Sequence, residues 1–109
     1  MKVLHLTLKK KWFDMIDSGE KTEEYREIKR YWMARLLTSR KEIDPDKWIW
    51  AIGFYASRFT HVQFRNGYSK TSPTMLFKSD GVGVFYGLEK WGAETGKKYF
   101  VIKLGERIS

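Results

Sequence analysis

The sequence predicts a small α+β domain built round a mostly antiparallel, curled β-sheet, and three observations support this class. Two amphipathic helical stretches lie in the first part of the chain, and short strand-like runs dominate afterwards. Gly81, Gly83 and Gly87 fall among the later runs, which indicates tight bends or close backbone approach, as in a closing barrel. The 109 residues are enough for one core, and we expect residues 1–109 to form a single domain.

The first elements along the chain are a strand and a helix. Residues 3–8 are short, partly β-branched and followed by a lysine run, so they are predicted to form a strand. Residues 9–18 carry apolar side chains at helical spacing, including Trp12 and Ile16. Gly19 follows them as a typical helix stop, so this segment is predicted to be the first helix.

A second strand and a second helix follow. Residues 22–28 are predicted to be a strand, and residues 29–38 carry one apolar stripe with basic residues elsewhere, which is typical of an amphipathic helix. The acidic patch at 42–46 contains Pro45, which disfavours helix at the residue before it. Residues 48–55 could form a buried strand or a short helix, because periodicity does not decide between the two.

Short strands and turn signals make up the rest of the chain. The predicted strands are residues 59–64, 74–78, 82–86 and 98–104. Asn66-Gly67 and Asp80-Gly81 are the dipeptides typical of tight turns, and we expect each to close the strand before it. This succession of short strands predicts the mostly antiparallel sheet.

Charge and aromatic content point to polyanionic partners without proving them. The formal net charge is +8, and residues 57–79 contain four cations and no acid. Such a stretch presents a positive field to phosphate groups. Aromatic residues make up 17% of the chain, and their rings either fill a small core or stack on nucleic-acid bases. Composition does not separate these two uses.

The lack of cysteine narrows the possible chemistry. Disulfides, thiol catalysis and cysteine metal sites are excluded, and a reducing cytoplasm is the simplest compartment. His5 and His61 show no metal-ligand spacing, so the sequence predicts neither a metal nor another cofactor. The longest nearly apolar run, residues 48–56, is too short to span a bilayer, and we expect no membrane partner.

The best candidate site is a Gly-x-Lys-x-x-Glu-x-Arg pattern, formed by Gly19, Lys21, Glu24 and Arg26. Residues two apart on a strand share a face, so Glu24 and Arg26 are expected side by side, with Lys21 at the turn that feeds them. A carboxylate between two cations can bind and orient a polar ligand. We predict that Lys21, Glu24 and Arg26 form a catalytic or binding centre. The alternative is a solvated edge strand with paired surface charges.

Together with the elements around it, this pattern resembles the signature of the ASCH domain family, within the PUA-like superfamily. The match to the signature is carried by Gly19, Lys21, Glu24 and Arg26. The resemblance extends to the preceding strand and helix and to later segments at 64–68, 91–92 and 99–105, which are similar to phage and bacterial single-domain members. Residues 39–57 carry no part of it.

The resemblance implies a small, mostly antiparallel β-barrel of five or six strands with two or more flanking helices. It also implies a cleft beside the signature and an RNA-related role. Within the family, one branch hydrolyses the amide of acetylated cytidine and another is reported to cleave single-stranded RNA. The first branch carries a threonine nucleophile where this chain has Glu24, and it needs a later glutamate, for which Glu89 and Glu94 are the candidates.

Binding, catalysis and protein interaction are therefore three open alternatives. We expect the cleft to bind RNA or a nucleotide-like ligand, with Arg65, Asn66 and Tyr68 at its rim. Metal-independent cleavage of single-stranded RNA would use the same cations and Glu24, and hydrolysis of a modified nucleoside such as N4-acetylcytidine is a further enzymatic alternative.

The exposure of aromatic rings near the signature distinguishes RNA binding, which needs exposed rings, from core packing, which buries them. Tyr25, Tyr68 and Trp91 are predicted to be exposed and to stack on bases, and the alternative for each is core packing. In the third alternative, the chain is a phage or mobile-element protein that binds a host protein through residues 48–52. Such a contact requires that segment to lie on the surface.

Overall fold

The helices and strands form one sheet with two helices beside it. The computed structural model of the protein describes residues 1–38 and 50–109. The elements in chain order are β1 (Val3–Leu8), α1 (Lys10–Asp17), β2 (Glu23–Arg26), α2 (Arg30–Leu36), β3 (Gly53–Tyr55), β4 (His61–Asn66), β5 (Thr74–Tyr86), a 3-10 turn (Glu89–Trp91) and β6 (Lys98–Arg107). The predicted α+β class is confirmed.

The sheet is mixed and curled into a half-barrel. Its strand order is β1-β4-β5-β6-β2, with β3 paired to β5. β1 and β4 are parallel, and every other described pair is antiparallel. No ladder joins β1 to β2 within residues 1–38 and 50–109, so these two strands are the open edges of the sheet.

The later part of the sheet differs from the prediction at Asp80-Gly81. These residues do not form a turn between two short strands, because β5 runs through them from Thr74 to Tyr86. Its register with β6 shifts between Phe77 and Gly81, where Gly81 has φ +119°. An Asp-Gly pair supplies a positive φ equally well to a hairpin turn or to a bulge. Continuous pairing with β6 selects the bulge.

The bulge lets β5 change neighbours. Before it, β5 pairs with β4, and beyond it, residues 82–84 pair with β3. A Cβ atom added to Gly83 would lie 2.5 Å from the backbone oxygen of Gly53. The predicted close backbone approach is therefore confirmed at Gly83, and it brings β3 against the bent strand.

The sheet packs on both faces. The larger core lies on one face and contains most buried aliphatic side chains of α1, α2, β1, β4, β5 and β6. A smaller cluster on the other face consists of Tyr25, Trp91, Ala93, Tyr99 and Val101. Trp50 is buried in the larger core, whereas Ala51 and Ile52 are exposed and residues 53–55 form β3. The acidic patch at 42–46 lies outside the described residues.

None of the helices in the described residues has the length and apolar character needed to cross a membrane. The two α-helices cover eight and seven residues, and both have charged side chains.

Candidate functional site

The signature residues are brought together by the turn that ends α1. The helix stops before Gly19, which has φ +83°, and the Gly19 N–H donates to the Ile16 carbonyl oxygen over 3.0 Å. The Lys21 N–H donates to the Met15 carbonyl oxygen over 2.9 Å, which folds the chain back beneath the helix. The Lys21 side chain is therefore carried inside, with 1% of the residue exposed.

Glu24 is the centre of this cluster. Its Oε1 accepts from the Lys21 Nζ over 2.8 Å and from the Tyr25 backbone N–H over 3.0 Å. The Arg26 Nη1 lies 3.5 Å from the same oxygen and donates to the Tyr25 carbonyl oxygen over 2.7 Å. The second oxygen, Oε2, is buried and has no hydrogen-bond partner among the described residues. The predicted proximity of Lys21, Glu24 and Arg26 is confirmed.

The register of β2 explains why Glu24 is buried at a sheet edge. Glu24 stands opposite Ile102 and Arg26 opposite Phe100, and both partners on β6 belong to the larger core. Side chains directly opposite each other in a ladder share a face. Glu24 is thus 4% exposed although β2 is an edge strand. The alternative of a solvated strand with paired surface charges is wrong for Glu24.

Both cations of the cluster lie against tryptophan rings. The Lys21 Nζ is 4.7 Å from the centre of the Trp12 ring, and the Arg26 Cζ is 5.0 Å from the centre of the Trp32 ring. Such cation–π contacts hold a charge in place when it is shielded from water. α1 and α2 therefore each contribute one ring that fixes one cation beside Glu24.

Burial shifts the pKa of three groups in the cluster. Burial lowers the pKa of Lys21 below its ordinary value, although the nearby Glu24 acts in the opposite direction. Burial likewise lowers the pKa of Arg26, whose guanidinium stays charged because its ordinary pKa is so high. Burial, together with a hydrogen bond to Glu23, raises the pKa of Tyr25. The low exposed fractions of Lys21 and Glu24, 1% and 4%, show that these two groups are shielded from water, although Glu24 and Arg26 line a pocket.

The pocket has a volume of about 450 Å³ and lies between the two open edges of the sheet. It is lined by residues from β1 and β2, from both helices and the residues that precede them, from the segment after β5 and from the start of β6. These are Thr7, Leu8, Lys9, Trp12, Glu24, Tyr25, Arg26, Glu27, Lys29, Trp32, Trp91, Gly92, Glu94 and Tyr99. This size is in the range of small-molecule sites.

Two of the three rings predicted to be exposed are buried. Tyr25 and Trp91 both line the pocket but pack in the smaller cluster, each 8% exposed. The Tyr25 O–H donates to Glu23 Oε1 over 2.6 Å and accepts from the Leu88 N–H over 2.9 Å. The prediction of exposed rings is wrong here because Tyr25 lies on the face that packs against the segment after β5. Trp91 Nε1 has no acceptor among the described residues.

None of the three predicted rim residues lines the pocket, and two of them stand next to residues that do. Arg65 and Asn66 stand opposite Thr7 and Leu8 in the parallel ladder of β1 and β4, and those two partners line the pocket. The Arg65 Nη1 donates to the Ser69 carbonyl oxygen over 2.9 Å. Tyr68 is 91% exposed, as predicted for this residue. The roles of these three residues in binding stay predictions.

Several lining residues were not predicted as site residues. Trp12 and Trp32 sit on the apolar stripes of their helices, where spacing does not distinguish a core residue from a pocket wall. Lys9 and Lys29 each precede a helix, and their position beside the pocket depends on how the helices dock. Glu94 was named only as a possible second carboxylate, and it lines the same pocket as Glu24.

Residues 1–38 and 50–109 contain no cluster of three or more His, Asp or Glu side chains that could hold a metal ion. Comparison with known proteins adds no relative: no family model matches the chain, and no curated protein or solved structure is significantly similar to it.

Proposed function

We propose that this protein is an ASCH-like, PUA-like domain that binds RNA or a nucleotide-like ligand in the pocket between β1 and β2. The resemblance of the Gly19–Arg26 pattern to the ASCH signature supports this reading. So do the pocket volume and the three tryptophans in its walls. Aromatic walls with a few polar groups are the usual way to hold a planar base.

The observation that carries the proposal is the unpartnered Oε2 of Glu24. A buried carboxylate oxygen without a donor is costly, so a ligand N–H that reaches it gains a strong, charge-assisted hydrogen bond. Arg26 is beside it and presents further N–H donors to an acceptor on the same ligand. Nucleobases carry such neighbouring donors and acceptors on their Watson–Crick edges.

The rim of the pocket carries cations that can attract a phosphate. Lys9 and Lys29 line the pocket and are exposed, and Glu27, which lines the same pocket, lies 4.0 Å from Lys29. Cations at this position attract the phosphate of a nucleotide whose base lies deeper in the pocket. A base hydrogen-bonded to Glu24 and Arg26 and a phosphate at the lysines together match one nucleotide of a single strand.

The proposal is tested by fluorescence anisotropy with a labelled single-stranded RNA of mixed sequence. Glu24→Gln removes the charged acceptor, and we expect it to weaken binding about tenfold to hundredfold. The matched control is Glu106→Gln at the end of β6, where Glu106 is exposed and pairs with Lys78. Both variants remove one negative charge, so simple charge attraction would strengthen binding in both.

The expected pattern is thus weaker binding for Glu24→Gln and unchanged or tighter binding for Glu106→Gln. Equal behaviour of the two variants would contradict a specific role for Glu24. If the unaltered protein binds neither the RNA at low salt nor any common ribonucleoside monophosphate, the proposed function is wrong.

A second candidate is catalysis in the same pocket, and one observation favours it. Glu94 and Glu27 line the pocket together with Glu24, so three acidic residues border a cavity that Arg26 also lines. One carboxylate could activate water, or take the proton of a ribose 2′-hydroxyl, while Arg26 stabilises a developing negative charge. This arrangement would suit hydrolysis of an amide such as that of N4-acetylcytidine, or metal-independent cleavage of RNA.

Catalysis is tested with the same protein samples. Release of cytidine from N4-acetylcytidine, or shortening of the labelled RNA in the presence of EDTA, supports an enzyme if Glu24→Gln and Glu94→Gln both abolish it. If both substrates stay intact at high protein concentration and the protein binds RNA, catalysis is rejected and the pocket is a binding site only.

A further inference from the structure

Cations and aromatic rings alternate from the pocket along α2 to the protein surface. The Arg35 Cζ lies 5.3 Å from the centre of the Trp32 ring, whose other guanidinium neighbour is Arg26 in the pocket. The same Arg35 Cζ lies 5.7 Å from the Tyr31 ring, and its Nη1 donates to the Tyr31 hydroxyl over 3.1 Å. Tyr31 is at the end of this row and is 58% exposed.

The exposed side of α2 is strongly basic. α2 contains Arg30 and Arg35 and no acidic residue. The nearest acid in sequence, Glu27, lies 4.0 Å from Lys29 and 3.8 Å from Lys97, so its charge is shared between two lysines. The helix buries Met33 and Leu36 in the larger core, which leaves Arg30 and Tyr31 on the outside.

The row of side chains is also held in place. Arg35 Nη2 donates to the His5 carbonyl oxygen of β1 over 3.2 Å, at the edge of the sheet that faces the pocket. The Tyr31 and Trp32 rings meet edge to face at 4.9 Å. Side chains ordered before binding lose less conformational entropy when a ligand arrives.

We propose that the exposed side of α2, consisting of Arg30, Tyr31 and Arg35, is a second subsite that holds the nucleotide next to the one in the pocket. Tyr31 stacks on the neighbouring base, and the two arginines contact the phosphates on either side of that base. This inference rests on the proposed function of the pocket and adds that the ligand is a strand of at least two nucleotides. An exposed ring flanked by arginines favours a nucleic-acid strand over an apolar protein surface.

The test compares ligands of different length. Binding of a labelled single-stranded RNA of mixed sequence is measured beside binding of the common ribonucleoside monophosphates. Tyr31→Ala is expected to weaken RNA binding about tenfold and to leave monophosphate binding unchanged. Tyr31→Phe keeps the ring and is expected to retain RNA binding. Arg30→Gln is expected to lower the salt dependence of RNA binding by about one phosphate contact.

The matched control is Phe54→Ala, because Phe54 is 63% exposed and lies on the opposite face of the sheet from α2. It is expected to leave RNA binding unchanged. If Tyr31→Ala leaves RNA affinity unaltered, or weakens RNA and monophosphate binding equally, the second subsite is overturned. The proposed function of the pocket is not affected by either result. If the unaltered protein captures a partner protein even after nuclease treatment, and Tyr31→Ala loses that partner while it still binds RNA, the second RNA subsite is also overturned. No binding of any nucleotide by the unaltered protein overturns the proposed function itself.

Discussion

At the scale of single residues, the site is defined by charges held away from water. Lys21 and Glu24 are almost completely buried and joined by one short hydrogen bond. A buried ion pair contributes little net stability, but removing one member leaves an uncompensated charge in the interior. Trp12 and the Tyr25 backbone N–H reduce that penalty without removing it.

We therefore predict that Lys21→Met lowers the free energy of unfolding by about 3–5 kcal/mol. The double variant Lys21→Met, Glu24→Met removes both charges and is expected to regain a large part of this loss. Urea unfolding followed by circular dichroism measures both. A single variant that costs less than about 1 kcal/mol would show that Glu24 does not depend on Lys21 for its charge compensation.

Tyr25 leads to a second residue-scale prediction, on pH. Its pKa is raised in the folded state above its ordinary value near 10, so its contribution to stability is complete below that pH and is lost as the pH rises through the folded value. Tyr25→Phe removes this titration. The stability difference between the unaltered protein and Tyr25→Phe should be constant near neutral pH and shrink above pH 10. Urea unfolding across that range measures it, and a constant difference would contradict the assignment.

At the scale of elements, β5 decides the shape of the sheet. It pairs with β6 on one side and with β4 and then β3 on the other, and its bulge at Gly81 makes the change of neighbour possible. The Gly83 position is crowded by backbone, since an added Cβ would lie 2.5 Å from the Gly53 oxygen. Backbone in a ladder cannot move aside without breaking hydrogen bonds.

Gly83→Ala is therefore expected to destabilise the protein by about 1–3 kcal/mol. The matched control is Gly105→Ala on β6. Its added Cβ would also lie within 2.5 Å of an atom, but that atom belongs to the exposed side chain of Asp80, which can rotate away. The control should cost well under 1 kcal/mol. Thermal unfolding of both variants checks the prediction, and equal costs would contradict it.

At the scale of the whole molecule, the pocket is a consequence of incomplete closure. β1 and β2 each pair with one neighbour in the described residues, and the pocket lies between their free edges. The α1 and α2 tryptophans, the segment after β5 and Tyr99 of β6 also line it. A ligand bound in this pocket would contact both ends of the sheet, which are far apart in the strand order.

Hydrogen exchange tests this arrangement. Amides in the middle of β5 and β6 should exchange most slowly, because both strands are paired on both sides over much of their length. Addition of single-stranded RNA is expected to slow exchange at the ends of β1 and β2 together. Protection of only one of these strands would contradict a ligand site across the open edges.

Local features of the fold were predictable. The strand at Val3–Leu8, the helix before Gly19 and the apolar stripe of α2 all follow from spacing within a few residues. Asp80-Gly81 was predicted as a turn, because the same dipeptide fits a turn and a bulge. Only pairing with β6, which comes later in the chain, distinguishes the two.

In the candidate site, too, some features follow from the local sequence and others depend on tertiary packing. The sequence by itself predicted that Lys21, Glu24 and Arg26 lie together, because a helix stop leads directly into a strand on which Glu24 and Arg26 share a face. The tertiary structure alone decided that Glu24 is buried, that Tyr25 and Trp91 are covered, and that Trp12 and Trp32 become walls of a pocket. Proximity within six residues is set by local backbone geometry. Burial is set by which distant strands and helices pack against a face, and no local pattern encodes that.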